Sequence, residues 1–236
     1  MKNNGGEELK LRKIRVFNSF LFAKSVGLSP VEIERKQNIV FSGKLGNYYM
    51  EILRNGIAIF EDALLPRVKK AIERMLPVDV THFIGSDEVG WGEKNYPLVV
   101  CAILMSKSDV IHYTLAGVMD SKMLTHDEIT LFAKKLSSLS HVTILVPPDH
   151  KSHKNMSSNE FLARIHARAI YSLYQNAPNL TQVILDRFDR KTIYRHFKHM
   201  NLVQEPNGER YVPVAAASII AKDTLERWKK KRIHIS

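Results

Sequence analysis

Four acidic places stand at the ends of apolar runs in this chain: Asp87-Glu88 in GSDEVGWG, Asp120 in MDSK, Asp186 in VILD and Glu209 in NGERYVPV. Neighbours on a regular strand point to opposite faces. Asp87 and Glu88 therefore share a site only at a strand end or a distorted turn. Gly85, Gly90 and Gly92 permit such a backbone.

Gathering carboxylates is costly, because like charges at close range raise one another's pKa. A divalent hard cation removes the conflict. Mg²⁺ takes oxygen ligands and shares its shell with water and substrate phosphate. Two such ions about 3.5–4 Å apart activate a water and steady the leaving oxygen of a phosphodiester. The chemistry that the acids suggest is metal-dependent phosphodiester hydrolysis. The alternative for any single acid is an ordinary surface or capping residue, and spacing alone does not prove convergence.

The elements that must position these acids fall in two segments. Residues 38–61 give three β-rich runs, IVFSG, YYMEILR and IAIFE, separated by LGN and by Asn55-Gly56. An NG between such runs signals a hairpin. DALLPRVKKAIERML then carries Leu65, Val68, Ile72 and Met75 at helical spacing. Residues 8–26 read as a helix or a strand–helix opening. A small antiparallel sheet with a helix is expected, with a boundary near residue 78 at Pro77.

Beyond it, strands and helices alternate. FIGSDEV, PLVVCAILM, VTILVP and QVILD read as strands. HDEITLFAKKLSSL, SSNEFLARIHARAIYSLYQ, KTIYRHFKHM and AAASIIAKDTLERWKKK read as helices. Thr125 with Glu128 forms a capping-box pattern. This alternation indicates an α/β domain. The domains are set at 1–78 and 79–236.

Net charge is +11 over 236 residues, and its distribution is uneven. Residues 1–78 are basic, 79–226 are balanced, and RWKKKR at 227–232 is basic again. Such ends attract polyanions, nucleic acid first; the plainer alternative is a solvated charge excess. No apolar run reaches the length of a membrane span, and MKNNGGEELKLRKIR lacks a signal core. The single cysteine, Cys101, lies in an apolar run, as expected of a buried thiol in a reducing cytoplasm.

GSDEVGWG, MDSKMLT, VILDRF and GERYVPVAAASIIAK, in this order and spacing, resemble the type 2 ribonucleases H. Several details are similar to ribonuclease HIII: NEFLARIHARAI, VILDRFDRKTIYRHF, a glutamate at the fourth acid, and a small basic N-terminal domain. The resemblance covers about residues 82–226. It implies a ribonuclease H-like mixed sheet flanked by helices, preceded by a small α+β domain like the TATA-binding protein. It also implies an endonuclease that cuts the RNA strand of RNA–DNA hybrids to 3′-hydroxyl and 5′-phosphate ends. Mg²⁺ or Mn²⁺ would be the cofactor and hybrid the partner. No membrane is expected, and a cytoplasmic monomer is.

Carried over by motif, Asp87, Glu88, Asp186 and Glu209 would be the catalytic metal ligands, with Glu205 the fallback for the fourth. Asp223 and Glu226 look like helix-surface residues. Lys122 would contact substrate phosphate or organise the acids, with Ser121 assisting. His166 is open between a core and a site role. Only the 2′-hydroxyl tells RNA from DNA at a site, and in the family a G-x-G backbone reads it, here Gly90-Trp91-Gly92. Trp91 departs from the small or basic residue of relatives; it could stack on a base or ribose, or obstruct the groove. Tyr96 replaces a glycine before Pro97.

The end, LERWKKKRIHIS, does not read as a closing helix, and the domain looks shortened there. A rival reading is therefore a catalytically impaired or truncated relative that only binds nucleic acid, with the basic ends supplying affinity. A second rival is another nuclease or recombinase of ribonuclease H-like fold, acting on DNA.

Overall fold

The computed structural model describes residues 11–16, 18–30, 38–151, 156–177, 179–188 and 192–233. The start of the chain, the middle of VILDRFDRKTIYRHF and the last three residues of IHIS lie outside the described residues. Two compact units are distinguished. One takes the residues up to Pro77 together with Ile111–Val118; the other takes Val78–Val110 and the residues from Met119 onward.

In the first unit the chain runs β1 (Leu11–Arg15), α1 (Ser19–Val26), β2 (Ser29–Pro30), β3 (Ile39–Leu45), β4 (Tyr48–Leu53), β5 (Ile57–Glu61) and α2 (Leu65–Met75). The strands form an antiparallel sheet in the order β1-β5-β4-β3-β2. Gly56, with φ +82°, makes the turn that the NG pair announced. Alternate residues Met50, Ile52, Ala58 and Phe60 are buried and meet Val68, Ala71 and Ile72 of α2. One apolar face per element is enough to close this small core. The α+β character expected of residues 38–76 is observed.

The second unit holds β6 (His82–Val89), β7 (Leu98–Ser106), α3 (Lys107–Ala116, whose residues from Ile111 belong to the first unit), α4 (His126–Leu136), β8 (His141–Val146), α5 (Ser158–Tyr174), β9 (Thr181–Asp186), α6 (Thr192–His196), β10 (Asn201–Glu205) and α7 (Val212–Ile233). Its sheet runs β10-β9-β6-β7-β8. β6 pairs parallel to β9, and β9 parallel to β10, while β7 and β8 are antiparallel additions. The sheet is mixed and carries helices, as expected.

β6 and β7 are buried on both faces, which explains their nearly continuous apolar runs. α5 covers one face with Phe161, Leu162, Ile170 and Leu173. α7 covers the other, and its opening run Ala215-Ala216-Ala217 lets the helix come close. A Cβ at Gly85 would stand 2.0 Å from the carbonyl carbon of Pro213. The backbone of α7 thus rests directly on β6, and only glycine fits there. The capping box at Thr125 and Glu128 is formed as the sequence predicted.

Among the longer elements, α3 and β10 had no sequence signal. α3 lacks a clean apolar stripe, and β10 is a short edge strand. The helix read over AAASIIAKDTLERWKKK is observed as α7, which runs on through Ile233, so the stretch LERWKKKRI, not expected to read as a closing helix, is helical. No helix among the described residues is long and apolar enough to cross a membrane.

Candidate active site

The register of β6 against β9 sets the site. Ser86 lies beside Leu185, so the next residues along the two parallel strands, Asp87 and Asp186, follow side by side where the β6–β9 pairing ends. The Asp186 carboxylate accepts backbone N–H groups from Arg187 (2.8 Å) and Gly208 (3.0 Å), which fixes its direction. The turn holding Gly208 delivers Glu209, which is buried.

On the face covered by α7, Glu209 meets three groups. Its Oε1 accepts from the Ser218 hydroxyl at 3.0 Å, and its Oε2 accepts from the Lys122 ammonium at 3.1 Å. Asp120 lies against it as well. Ser218 also touches the Ser121 hydroxyl at 3.1 Å and hydrogen-bonds Asp87. Lys222, one turn on, donates to the Ser121 carbonyl at 3.1 Å. The specific ending AAASIIAK is thereby explained: its alanines seat the helix, its serine ties two acids together, and its lysine pins the DSK turn.

The electrostatics follow from this crowding. Burial, then the charges of Glu88 and Glu209, push the Asp87 carboxyl well above the usual range, against the pull of Ser218. Burial and then Asp120 raise Glu209, and Lys122 opposes them. Partial burial would lower the Lys122 pKa, but the Glu209 carboxylate outweighs it and holds the ammonium above the ordinary lysine value. Lys122 itself is 76% exposed, so it is the one of the pair that faces solvent.

Glu88 lies on the opposite face, with Ser86. His166 of α5 is 1% exposed and bridges the two: its Nδ1 is 2.9 Å from the Ser86 hydroxyl and its Nε2 is 3.1 Å from Glu88 Oε2. Its ring stacks on Phe188 at 5.3 Å. The open question about His166 is thus resolved geometrically, since it is both a core residue and the partner of an acid. Glu205, the fallback acid, is beside Asp186 in register but is taken by Arg210 and by the Tyr211 hydroxyl at 3.3 Å. Asp223 and Glu226 pair with Arg227 and Lys229 along α7, as helix-surface residues do.

The glycine turn after the acids is held by close packing. Gly90 has φ +79°, and a Cβ there would stand 2.3 Å from the Pro97 carbonyl oxygen. Trp91 stacks on Phe161 (5.9 Å, 18°) and packs against the core beneath α5, so its ring is committed to the protein. Ser121 is buried, and its hydroxyl faces Ser218 rather than solvent. Sequence reasoning missed Lys151, whose ammonium donates to the Gly90 carbonyl and, at 2.6 Å, to that of Glu93. It borders an open hollow of about 250 Å³ lined also by Trp91, Gly92, Lys94 and Pro148.

All of the converging donors are carboxylate oxygens, which fits Mg²⁺ or Mn²⁺ rather than a softer metal. The raised carboxyls mark an excess of negative charge that Lys122 alone does not balance. Among the described residues no three His, Cys, Asp or Glu side chains are gathered, as they stand, into a cage for an ion. An ion that keeps several waters and takes only one or two carboxylates does not need such a cage.

Acids at the ends of adjacent parallel strands, on a mixed five-stranded sheet between helices, define a ribonuclease H-like protein. Bst-RNase HIII in complex with Mn²⁺ shares the fold (TM-score 0.58, 20% identity, 92% of this chain and 81% of that one). Ribonuclease H2 from Pyrococcus horikoshii OT3 is similar over 64% of this chain and 74% of its own (TM-score 0.55, 26% identity). Residues 84–232 match the family Ribonuclease HII, and the chain belongs to that family. Relatives by sequence are ribonucleases HIII: that of Enterococcus faecalis (strain ATCC 700802 / V583) is 34% identical over 162 residues, 62% of this chain and 53% of that protein. That of Staphylococcus aureus (strain Newman) is 29% identical over 164 residues, 64% and 53%. The chain spans about half the length of these curated relatives. The resemblance to type 2 ribonucleases H of the HIII kind is borne out.

Proposed function

We propose that this chain is a metal-dependent endonuclease that hydrolyses the RNA strand of RNA–DNA hybrids to 5′-phosphate and 3′-hydroxyl ends. The observation that carries the reading is the β6–β9 register, which sets Asp87 beside Asp186 while the turn before α7 brings up Glu209. Asp87, Glu88, Asp186 and Glu209 would hold Mg²⁺ or Mn²⁺. Glu209 is preferred to Glu205 because it faces Asp87 through Ser218, whereas Glu205 is engaged by Arg210. The chemistry a bound ion supplies there is charge neutralisation and polarisation of the scissile phosphate and the attacking water.

The chain's own groups have separable roles. Ser218 orients Asp87 and Glu209. His166 orients Glu88 from the other face. Lys122, exposed and paired with Glu209, would take a substrate phosphate, with Ser121 supporting it through Ser218. The Gly90–Gly92 backbone would read the 2′-hydroxyl, and Trp91 would act by stiffening that turn rather than by stacking on a base. Hybrid would be the nucleic-acid partner of a cytoplasmic monomer, and the basic unit before residue 78 a further contact for it.

A second reading, a protein that binds nucleic acid without cutting it, has one observation behind it. The acids do not form a three-member cage as they stand among the described residues. Incubation of end-labelled RNA–DNA hybrid with Mg²⁺, with Mn²⁺ and with EDTA, beside a matched DNA duplex, separates the two. Metal-dependent cutting of the RNA strand alone is expected. Hybrid retained but uncut in either metal overturns the hydrolase reading in favour of the second.

A further inference from the structure

The last turns of α7 carry five cations in six residues, Arg227 to Arg232, on a chain whose middle is otherwise charge-balanced. A solvated helix end would leave these side chains free. Here one side of the helix is anchored. Trp228 meets the Tyr96 ring edge to face (6.4 Å, 80°), the Lys229 ammonium lies 4.4 Å over the Tyr96 ring, and the Arg232 guanidinium lies 4.8 Å over Trp228. Tyr96 belongs to the segment that leads from the Gly90–Gly92 turn into β7, so the helix end is tied to the loop beside the acids.

Anchoring one side sorts the charges. Arg227, Lys230 and Lys231 are exposed. Their i, i+3, i+4 spacing makes them neighbours on one stripe. Arg227 is paired to Asp223 at 2.9 Å, and Lys230 stands 3.4 Å from His126. The same helix carries Ser218 at the acids. Twelve residues of helix separate Ser218 from Lys230, about 18 Å at 1.5 Å per residue. That is roughly five nucleotide steps along a strand.

We infer that the C-terminal stripe of α7 is a phosphate-binding arm that grips the backbone of a nucleic-acid duplex about five steps from the acids. The occupant is a duplex, not a small anion, because the cations form a line at helical spacing rather than a pocket. The inference rests on the proposed reading of the acids as the place where a duplex is held. Phosphate contacts are blind to the sugar, so the arm serves hybrid and DNA duplex alike. Tyr96, a departure from the family pattern, then has a purpose: it is the post against which the arm is braced.

The test measures binding, in EDTA, by fluorescence anisotropy across a salt series, so that its outcome does not depend on whether the chain cuts RNA. The double variant Lys230→Gln/Lys231→Gln is compared with Lys134→Gln/Lys135→Gln, an exposed pair at the end of α4. The arm predicts a roughly tenfold loss of affinity for a hybrid of about 20 base pairs and a salt slope smaller by about 2. The α4 pair should do neither. Trp228→Ala keeps every charge but removes the brace, and should weaken binding several-fold with the slope nearly retained. A hybrid of about 8 base pairs should lose less than the long one. Equal effects of the two lysine pairs would overturn the proposal, as would a loss confined to hybrid with DNA duplex untouched.

Discussion

The two faces of β6 each carry one acid, and they treat it in opposite ways. Toward α5, Ser86, His166 and Glu88 form a closed chain of hydrogen bonds in which each group has a partner. Toward α7, Asp87 is buried near Glu209 and feels the charge of Glu88 across the strand, with a serine hydroxyl as its main relief. One acid is oriented; the other is held in repulsion. The difference teaches how one strand would serve the metal-dependent site proposed above. Burying one carboxylate among others lowers the stability of the ion-free fold and reserves a place for positive charge. The partnered acid on the reverse face gives the arrangement its direction.

Asp87→Asn breaks the comparison most directly. Hydrolysis of hybrid should fall about a thousandfold or more, since the residue sits where charge must be neutralised. In EDTA the same variant should melt at a higher temperature than the parent, because a buried like-charge conflict is removed. His166→Ala should do the reverse in EDTA, lowering the melting temperature. A fall for Asp87→Asn would mean that the carboxylate is structurally satisfied and the contrast between the faces is wrong.

Gly85→Ala tests what presses the acids together. Its methyl would enter the backbone of α7 at Pro213. The helix must then lift from β6, at a cost of about 3 kcal/mol or more. Urea denaturation would show it, and an unchanged midpoint would mean that α7 does not rest on the strand as described. On the other face, His166→Ala leaves the Ser86 hydroxyl and the Glu88 carboxylate without their shared partner inside the protein. A loss of about 1–3 kcal/mol is expected in the same urea assay. His166→Asn, which can reach only one of them, should recover part of it.

The acids were legible because a carboxylate at the end of an apolar run, flanked by glycine, has few structural uses. Asp87, Asp186 and Glu209 each fit that pattern; Asp87 and Glu209 meet through Ser218, and Asp186 follows the neighbour of Ser86 in the strand register. Their supports were harder to read. Ser218 lay inside an alanine-rich helix start, and nothing in its neighbourhood says that it faces two acids. Lys151 followed a pair of prolines with no motif around it; its partners, Gly90 and Glu93, are some 60 positions away in sequence. The sequence leaves Trp91 open between stacking on a nucleotide and obstructing the groove, because nothing in it reveals that the ring stacks on Phe161. α3 and β10 escaped because neither has the periodicity that burial on a single face imposes. The basic end of α7 reads as helix, but its contacts with Tyr96 were not legible, because that ring lies far off in the chain.

Lys151→Met sharpens the same contrast at the edge of the site. It removes the ammonium that joins the Gly90 and Glu93 carbonyls while keeping the length of the side chain. Loosening that turn should raise KM for hybrid about tenfold and leave kcat within a few-fold, and Lys151→Arg should restore most of the loss. A fall in kcat with KM unchanged would place Lys151 in the chemistry rather than in the turn.

The smallest effect reads the face toward α7 without changing it. Cys101 lies directly opposite Asp87 on β7, is wholly buried, and has its thiol pushed up to about 12, chiefly by burial. Thiolate is the reactive form, so the folded chain should resist iodoacetamide at pH 8 while the urea-unfolded chain is labelled at once. If α7 stays seated, the labelling rate should follow the global unfolding equilibrium across a urea series. Labelling that outpaces unfolding would show α7 lifting locally from the sheet. The burial that raises Asp87 would then be intermittent, and the repulsion assigned to that face would be relieved by water for part of the time.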